Sequence, residues 1–126
     1  KAGTTKEEAR KLDMQNAIEN KRWVLQKMNG TQVPKGDRDI YITFKNASAF
    51  VGNGGCNGFS GHYKMDSKTI SLTDIISTKM ACPSLETETA FFEILRRTNG
   101  YKIMQDHFSL MDGNDEIATF DAVYLK

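Results

Sequence analysis

The feature that most constrains this chain is the stretch from Phe59 to Met65. Phe59, Gly61, Tyr63 and Met65 alternate with Ser60, His62 and Lys64. Successive side chains of an extended strand point to opposite faces, so this run buries one face and wets the other. A strand of that kind needs paired neighbours on its flanks and an apolar layer against its buried face. The rest of the chain supplies both. Trp23-Val24-Leu25 is a short apolar run closed by Asn29-Gly30, and Pro34, Gly36 and Asp37 mark a loop. Ile40, Ile42 and Phe44 alternate with Tyr41 and Thr43, Ala47 to Val51 follows a turn near Asn46, and Ile70 and Leu72 return after Asp66-Ser67. Tyr101–Met104, Phe108–Met111 and Ile117–Leu125 read as three more strands, with Asp112-Gly113 as the hairpin signal between the last two.

One segment inside this region has the helical period. Leu85, Phe91, Phe92, Ile94 and Leu95 form its apolar stripe. Pro83-Ser84 supplies its start, and Asn99-Gly100 its stop. Glu86 and Glu88 in the first turn and Arg96 and Arg97 in the last suit the helix dipole. A second helix precedes the strands. Thr5-Lys6-Glu7-Glu8 is a capping-box pattern, followed by good helix formers to about Asn20. Its large apolar residues are Leu12, Met14 and Ile18, too thin a stripe for strong docking. Residues 1–20 are therefore expected to be a separable helical extension, and residues 21–126 the domain proper.

The order is helix, about five strands, helix, three strands. Strand–helix–strand alternation does not repeat, which argues against a parallel α/β sheet. The expected fold is mostly β with one packed helix, an α+β arrangement. It is a curved antiparallel sheet or open barrel of about eight strands around that helix, plus the N-terminal helix. A sheet of ~8 strands tends to curl or close, which also removes its edges. The length of 126 residues, 39% hydrophobic and 26% charged, fits one globular domain. A net charge of +1 lacks the basic excess of a nucleic-acid binder. No apolar run approaches the ~20 residues of a membrane-crossing helix.

The segment Val51-Gly52-Asn53-Gly54-Gly55-Cys56-Asn57-Gly58-Phe59-Ser60-Gly61 holds five of the ten glycines. It is not a phosphate loop, because it lacks a Gly-Lys-Ser/Thr ending and Asn57 stands where GxGxxG requires glycine. No helix follows on which an anion could sit. A sharp turn or bulge between strands explains it better. Gly55-Cys56-Asn57-x-Phe59-x-Gly61-x-Tyr63, followed by Thr78-Lys79-Met80-Ala81-Cys82, resembles the paired signature of the META/HslJ domain family. The resemblance runs from Trp23 to about Leu125. It implies a curved sheet around a helix and an exported or lipoprotein setting in bacteria, with links to heat shock and drug tolerance. It implies no reaction and no defined ligand.

An exported family and an even count of two cysteines without CxxC spacing make Cys56–Cys82 a structural disulfide. Zinc would also need His62 and His107, and the spacings match no common zinc pattern. A catalytic cysteine would need an imidazole beside it, which nothing in the sequence arranges. Asp112, Asp115 and Glu116 lack the spacing of an EF-hand. Tyr41, Tyr63, Tyr101 and Tyr124 read as strand residues with a packed ring and a wet hydroxyl. No cofactor and no catalytic residue is expected. The chain begins at Lys1, so any leader is expected to be already absent, and a membrane tether would run through a lipid anchor on the missing N-terminus.

Two functions fit. One is a non-catalytic, monomeric envelope module in the periplasm or at the outer membrane that binds a protein partner under stress. The other is a carrier of a small apolar ligand inside the curved sheet. The interior discriminates between them. Phe91, Phe92 and Leu95 are bulky enough to plug it, with Phe92 and Leu95 expected to face Phe59 and Tyr63.

Overall fold

The computed structural model describes residues 5–34, 38–45, 48–83 and 85–124. The helix start at Ser84, the loop at Gly36 and Asp37, the turn at Asn46 and the chain end at Leu125 lie outside the described residues. The elements in order are α1 (Lys6–Ile18), β1 (Lys21–Met28), β2 (Thr31–Gln32), β3 (Tyr41–Lys45), β4 (Ala49–Asn53), β5 (Gly58–Met65), β6 (Ile70–Ser77), α2 (Leu85–Arg97), β7 (Gly100–Met104), β8 (His107–Asp112) and β9 (Asp115–Tyr124). All the strand pairings are antiparallel. Eight strands follow one path, β6-β5-β4-β3-β1-β9-β8-β7, and the short β2 pairs with β1 beside it.

The turns obey their residues. Asn29 and Gly30 both take positive φ, 50° and 82°, as a two-residue hairpin that preserves strand twist requires. Gly113 does so at 60° between β8 and β9. The sheet curls until its two ends meet at one point, the bridge between Thr69, just before β6, and Gly100. Tyr101 fastens that seam by donating its hydroxyl to the Asp66 carbonyl at 2.7 Å. The Asp66 carboxylate accepts from the Lys68 and Thr69 amides, and these bonds hold its pKa below the ordinary value.

The interior is a continuous set of rings. Trp23, Phe44, Phe50, Tyr63, Phe91, Phe108 and Phe120 are all buried. Phe44 stands edge-on to Tyr63, with centroids 4.9 Å apart, and Phe108 lies 5.2 Å from Trp23. Room for these rings comes from glycine. A Cβ on Gly61 would collide with the Phe50 ring and the Thr73 carbonyl, and Gly52 leaves space for Phe59 in the same way. These glycines sit within strands, so the glycine-rich motif is only partly a turn.

Helix α2 lies against the inside of the curl. Phe91 reaches Phe59 on β5 at 5.8 Å and Phe120 on β9 at 6.2 Å, bridging distant strands. Phe92 faces Phe59 as expected, 5.4 Å away, and Leu95 is buried; Phe92 itself is only half-buried at the margin, and the core residues of α2 are Phe91, Ile94 and Leu95. Helix α1 is docked through its last turn. Leu12 is 55% exposed and Met14 partly buried, but Ile18 is wholly buried. The Trp23 indole donates to the Ile18 carbonyl at 3.0 Å. A cut after Asn20 would therefore remove a core side chain.

Candidate functional site

The loop between β4 and β5 is shaped by its own residues. The Asn53 side-chain oxygen accepts from the Gly55 amide at 2.8 Å, and Gly54 N–H donates to the Asn57 carbonyl at 2.9 Å. Gly55 takes φ of 105°, a conformation that side chains rarely adopt. This path turns two successive amides, those of Cys56 and Asn57, toward one point. Such a pair forms an anion-binding concavity. The anion belongs to the chain itself. Glu88 Oε2 accepts from Cys56 N–H at 3.0 Å and from Asn57 N–H at 2.6 Å. Glu88 Oε1 accepts from the Asn57 side-chain amide at 2.6 Å. A Cβ on Gly54 would stand 2.7 Å from Glu88 Cγ, so the carboxylate enters only because Gly54 has no side chain.

Asn57 carries the connection onward. Its Oδ1 accepts from the Thr78 hydroxyl at 2.8 Å and the Met80 amide at 2.7 Å, and its Nδ2 also donates to the Met80 carbonyl at 3.2 Å. Both ends of the side-chain amide are thus engaged within the protein. Cys56 and Cys82 close the same junction as a disulfide with Cα atoms 6.1 Å apart, an ordinary span for that bond. Three pieces meet here: the glycine-rich loop, the 78–82 segment and α2.

The signature residues divide into three sets. Gly55, Cys56, Asn57, Thr78, Met80 and Cys82 build the junction. Phe59, Gly61 and Tyr63 face the core from β5. Burial, and then the Glu19 carboxylate, pushes the Tyr63 phenol up to about 12. Lys79 and Ala81 are exposed. The sequence places Glu88 in the first turn, where its charge suits the helix dipole, and the structure agrees on the turn. Glu88 is 4% exposed and is the centre of the junction. The signal was there to find, since Glu88, Phe91 and Leu95 recur at the spacing of one helix face.

Elsewhere the chemistry is thin. Both thiols are in the disulfide. Exposed His62 pairs with Asp74 at 3.2 Å, and exposed His107 with Asp121 at 2.6 Å. Ser109, two residues from His107, donates to Glu116 at 2.7 Å. Among the described residues no group of three His, Cys, Asp or Glu side chains could hold a metal ion. Of five surface concavities between about 260 and about 510 Å³, none takes a lining residue from α2.

The family profile of the META domain matches residues 16–124. This chain belongs to the META domain family. Two proteins solved by NMR share its fold. One, from Burkholderia xenovorans, is 25% identical, with 88% of this chain and 87% of that one covered and a TM-score of 0.68. The other is 21% identical, with 85% and 92% covered and the same TM-score of 0.68. No curated protein matches the chain. The match spans the sheet, α2 and the last turn of α1, so this META domain includes Ile18.

Proposed function

We propose that this META domain is a non-catalytic, exported module of the bacterial cell envelope that acts by binding a protein partner under stress. The observation that carries the reading is the internal use of the signature. Asn57 and Glu88 bond to each other and to the loop and 78–82 segments that the disulfide joins, which is the work of a scaffold. The disulfide also favours an oxidising compartment such as the periplasm or the outer-membrane surface. The reading includes a monomeric state and attachment through an N-terminal lipid. Rings fill the space between α2 and the sheet, which counts against a carrier of apolar ligands. Photo-crosslinking in cells tests the proposal, with the reactive residue placed at exposed Ile76 or Met104, 69% and 74% exposed. A discrete protein adduct in the envelope fraction is expected. Adducts with lipid alone, or recovery of the protein in the cytosol with free thiols, would refute it.

A further inference from the structure

The outer face of the sheet carries a cavity rich in donors that the signature does not use. It measures about 300 Å³ and is lined by Arg22, Arg38, Asp39, Tyr41 and Asn53. Strand pairing explains how these residues meet. Tyr41 on β3 stands opposite Asn53 on β4 and opposite Val24 on β1, two residues from Arg22. The Arg22 guanidinium lies over the Tyr41 ring, 4.0 Å from its centroid. Stacking fixes the guanidinium plane and leaves its N–H groups to bond within that plane. Arg22 Nε is buried and has no hydrogen-bond partner among the described residues. A buried donor left unmade is costly, and such groups in folded proteins are normally satisfied. Asn53 gives its side-chain oxygen to Gly55 N–H, so its NH2 group is the part left for the cavity.

We propose that this cavity binds a carboxylate group, with the Arg22 fork as its main holder and Arg38 as a second cation. A planar carboxylate matches one guanidinium edge through two parallel bonds. The lining holds two cations and the Asp39 carboxylate, so its formal charge is one positive. A monoanion neutralises that balance, whereas a dianion such as phosphate would leave one negative charge uncompensated. The carboxylate belongs either to a small molecule or to the C-terminal end of a polypeptide. The inference goes beyond the envelope-module reading and does not depend on it.

The test is an NMR titration of the full chain with acetate, inorganic phosphate and a tripeptide with a free C-terminus. Acetate should shift the amide signals of Arg22, Tyr41 and Asn53 in a saturable way, with Kd on the order of millimolar, and phosphate should bind less tightly. Tripeptide binding tighter than acetate assigns the site to polypeptide ends, and equal binding to small molecules. Arg22→Lys keeps the charge but loses the fork, and should weaken binding by about tenfold or more. Arg38→Gln, at an exposed position, gives a second reading if the Arg22 variant misfolds, and should weaken binding severalfold. Absence of saturable shifts at about 100 mM acetate would overturn the proposal, as would phosphate binding more tightly than acetate or both variants binding like the parent.

Discussion

Helices α1 and α2 have the same length, 13 residues each, and are held by opposite means. Helix α1 has a complete capping box, with Glu8 N–H donating to Thr5 Oγ1 at 3.0 Å and Thr5 N–H to Glu8 Oε1 at 3.1 Å. These bonds lower the Glu8 pKa. Yet only Ile18 of α1 is buried. Helix α2 buries Glu88, Phe91, Ile94 and Leu95, and a disulfide anchors the segment that leads into it. Local signals make α1 a helix without attaching it firmly. Tertiary partners attach α2 and fix which of its faces turns inward. Helix formation and helix placement are separate problems, solved by different residues.

The sharpest way to break this comparison is at the centre of α2. Phe91→Ala should cost about 3–5 kcal/mol through the cavity it leaves. Phe92→Ala should cost far less, because Phe92 is only half-buried. Denaturant midpoints of both variants measure the difference. Equal losses would mean that the two rings share the interior. Next comes the anchor. Replacing both Cys56 and Cys82 by serine opens a loop with a separation of 26 residues. The expected loss is about 3 kcal/mol. Thiol titration of the unfolded, unreduced parent should find no free thiol, and two free thiols would remove the basis of the prediction.

The third perturbation is smaller and more specific. Glu88→Gln places an NH2 where one carboxylate oxygen now accepts, so a donor of Asn57 or of the loop loses its partner. A loss of about 1–3 kcal/mol is expected. The Cys56 and Asn57 amides should also exchange faster with solvent hydrogen. Unchanged exchange would mean that the loop keeps its shape without the anion. The smallest effect is reserved for α1. Removing residues 1–15 should cost about 1 kcal/mol or less, since the contacts of Lys6 to Asp13 are exposed and Met14 is only partly buried. Ile18→Val, which deletes one buried methylene, should cost about as much, roughly 0.5–1.5 kcal/mol. A truncation that melts far below the parent would place Met14 and its neighbours in the core.

Much of this architecture was legible because strands announce their faces. Phe59, Tyr63 and Met65 are buried and His62 and Lys64 exposed, as their alternation requires. A period of two leaves no ambiguity about which side a residue takes. A helical period is less exact, because adjacent residues differ by about 100° and two neighbours can both border the stripe. Phe91 and Phe92 were indistinguishable for that reason. Glu88 was half legible: its spacing with Phe91 and Leu95 puts it on the inward face, but its partners were hidden. Its partners come from a loop about thirty residues earlier in the chain. Only the folded junction shows that the glycine-rich loop does bind an anion, and that the anion is the chain's own. The outer cavity was equally hidden, because Arg22 and Asn53 lie far apart in the chain and meet across Tyr41 only through strand register.

Strand order has a consequence for the time at which this protein becomes a protein. Inside the sheet β1 lies beside β9, with Lys21 opposite Tyr124, positions separated by almost the whole chain. A polypeptide still on the ribosome, or one threading a narrow channel amino end first, has made β1 long before β9 exists. Until then β1 has only β3 and the short β2 to pair with, and Trp23 lacks Phe108. Such distant pairings delay folding, because the loop they close must be ordered before contacts offset its entropy. The native sheet therefore cannot assemble until the last strand emerges.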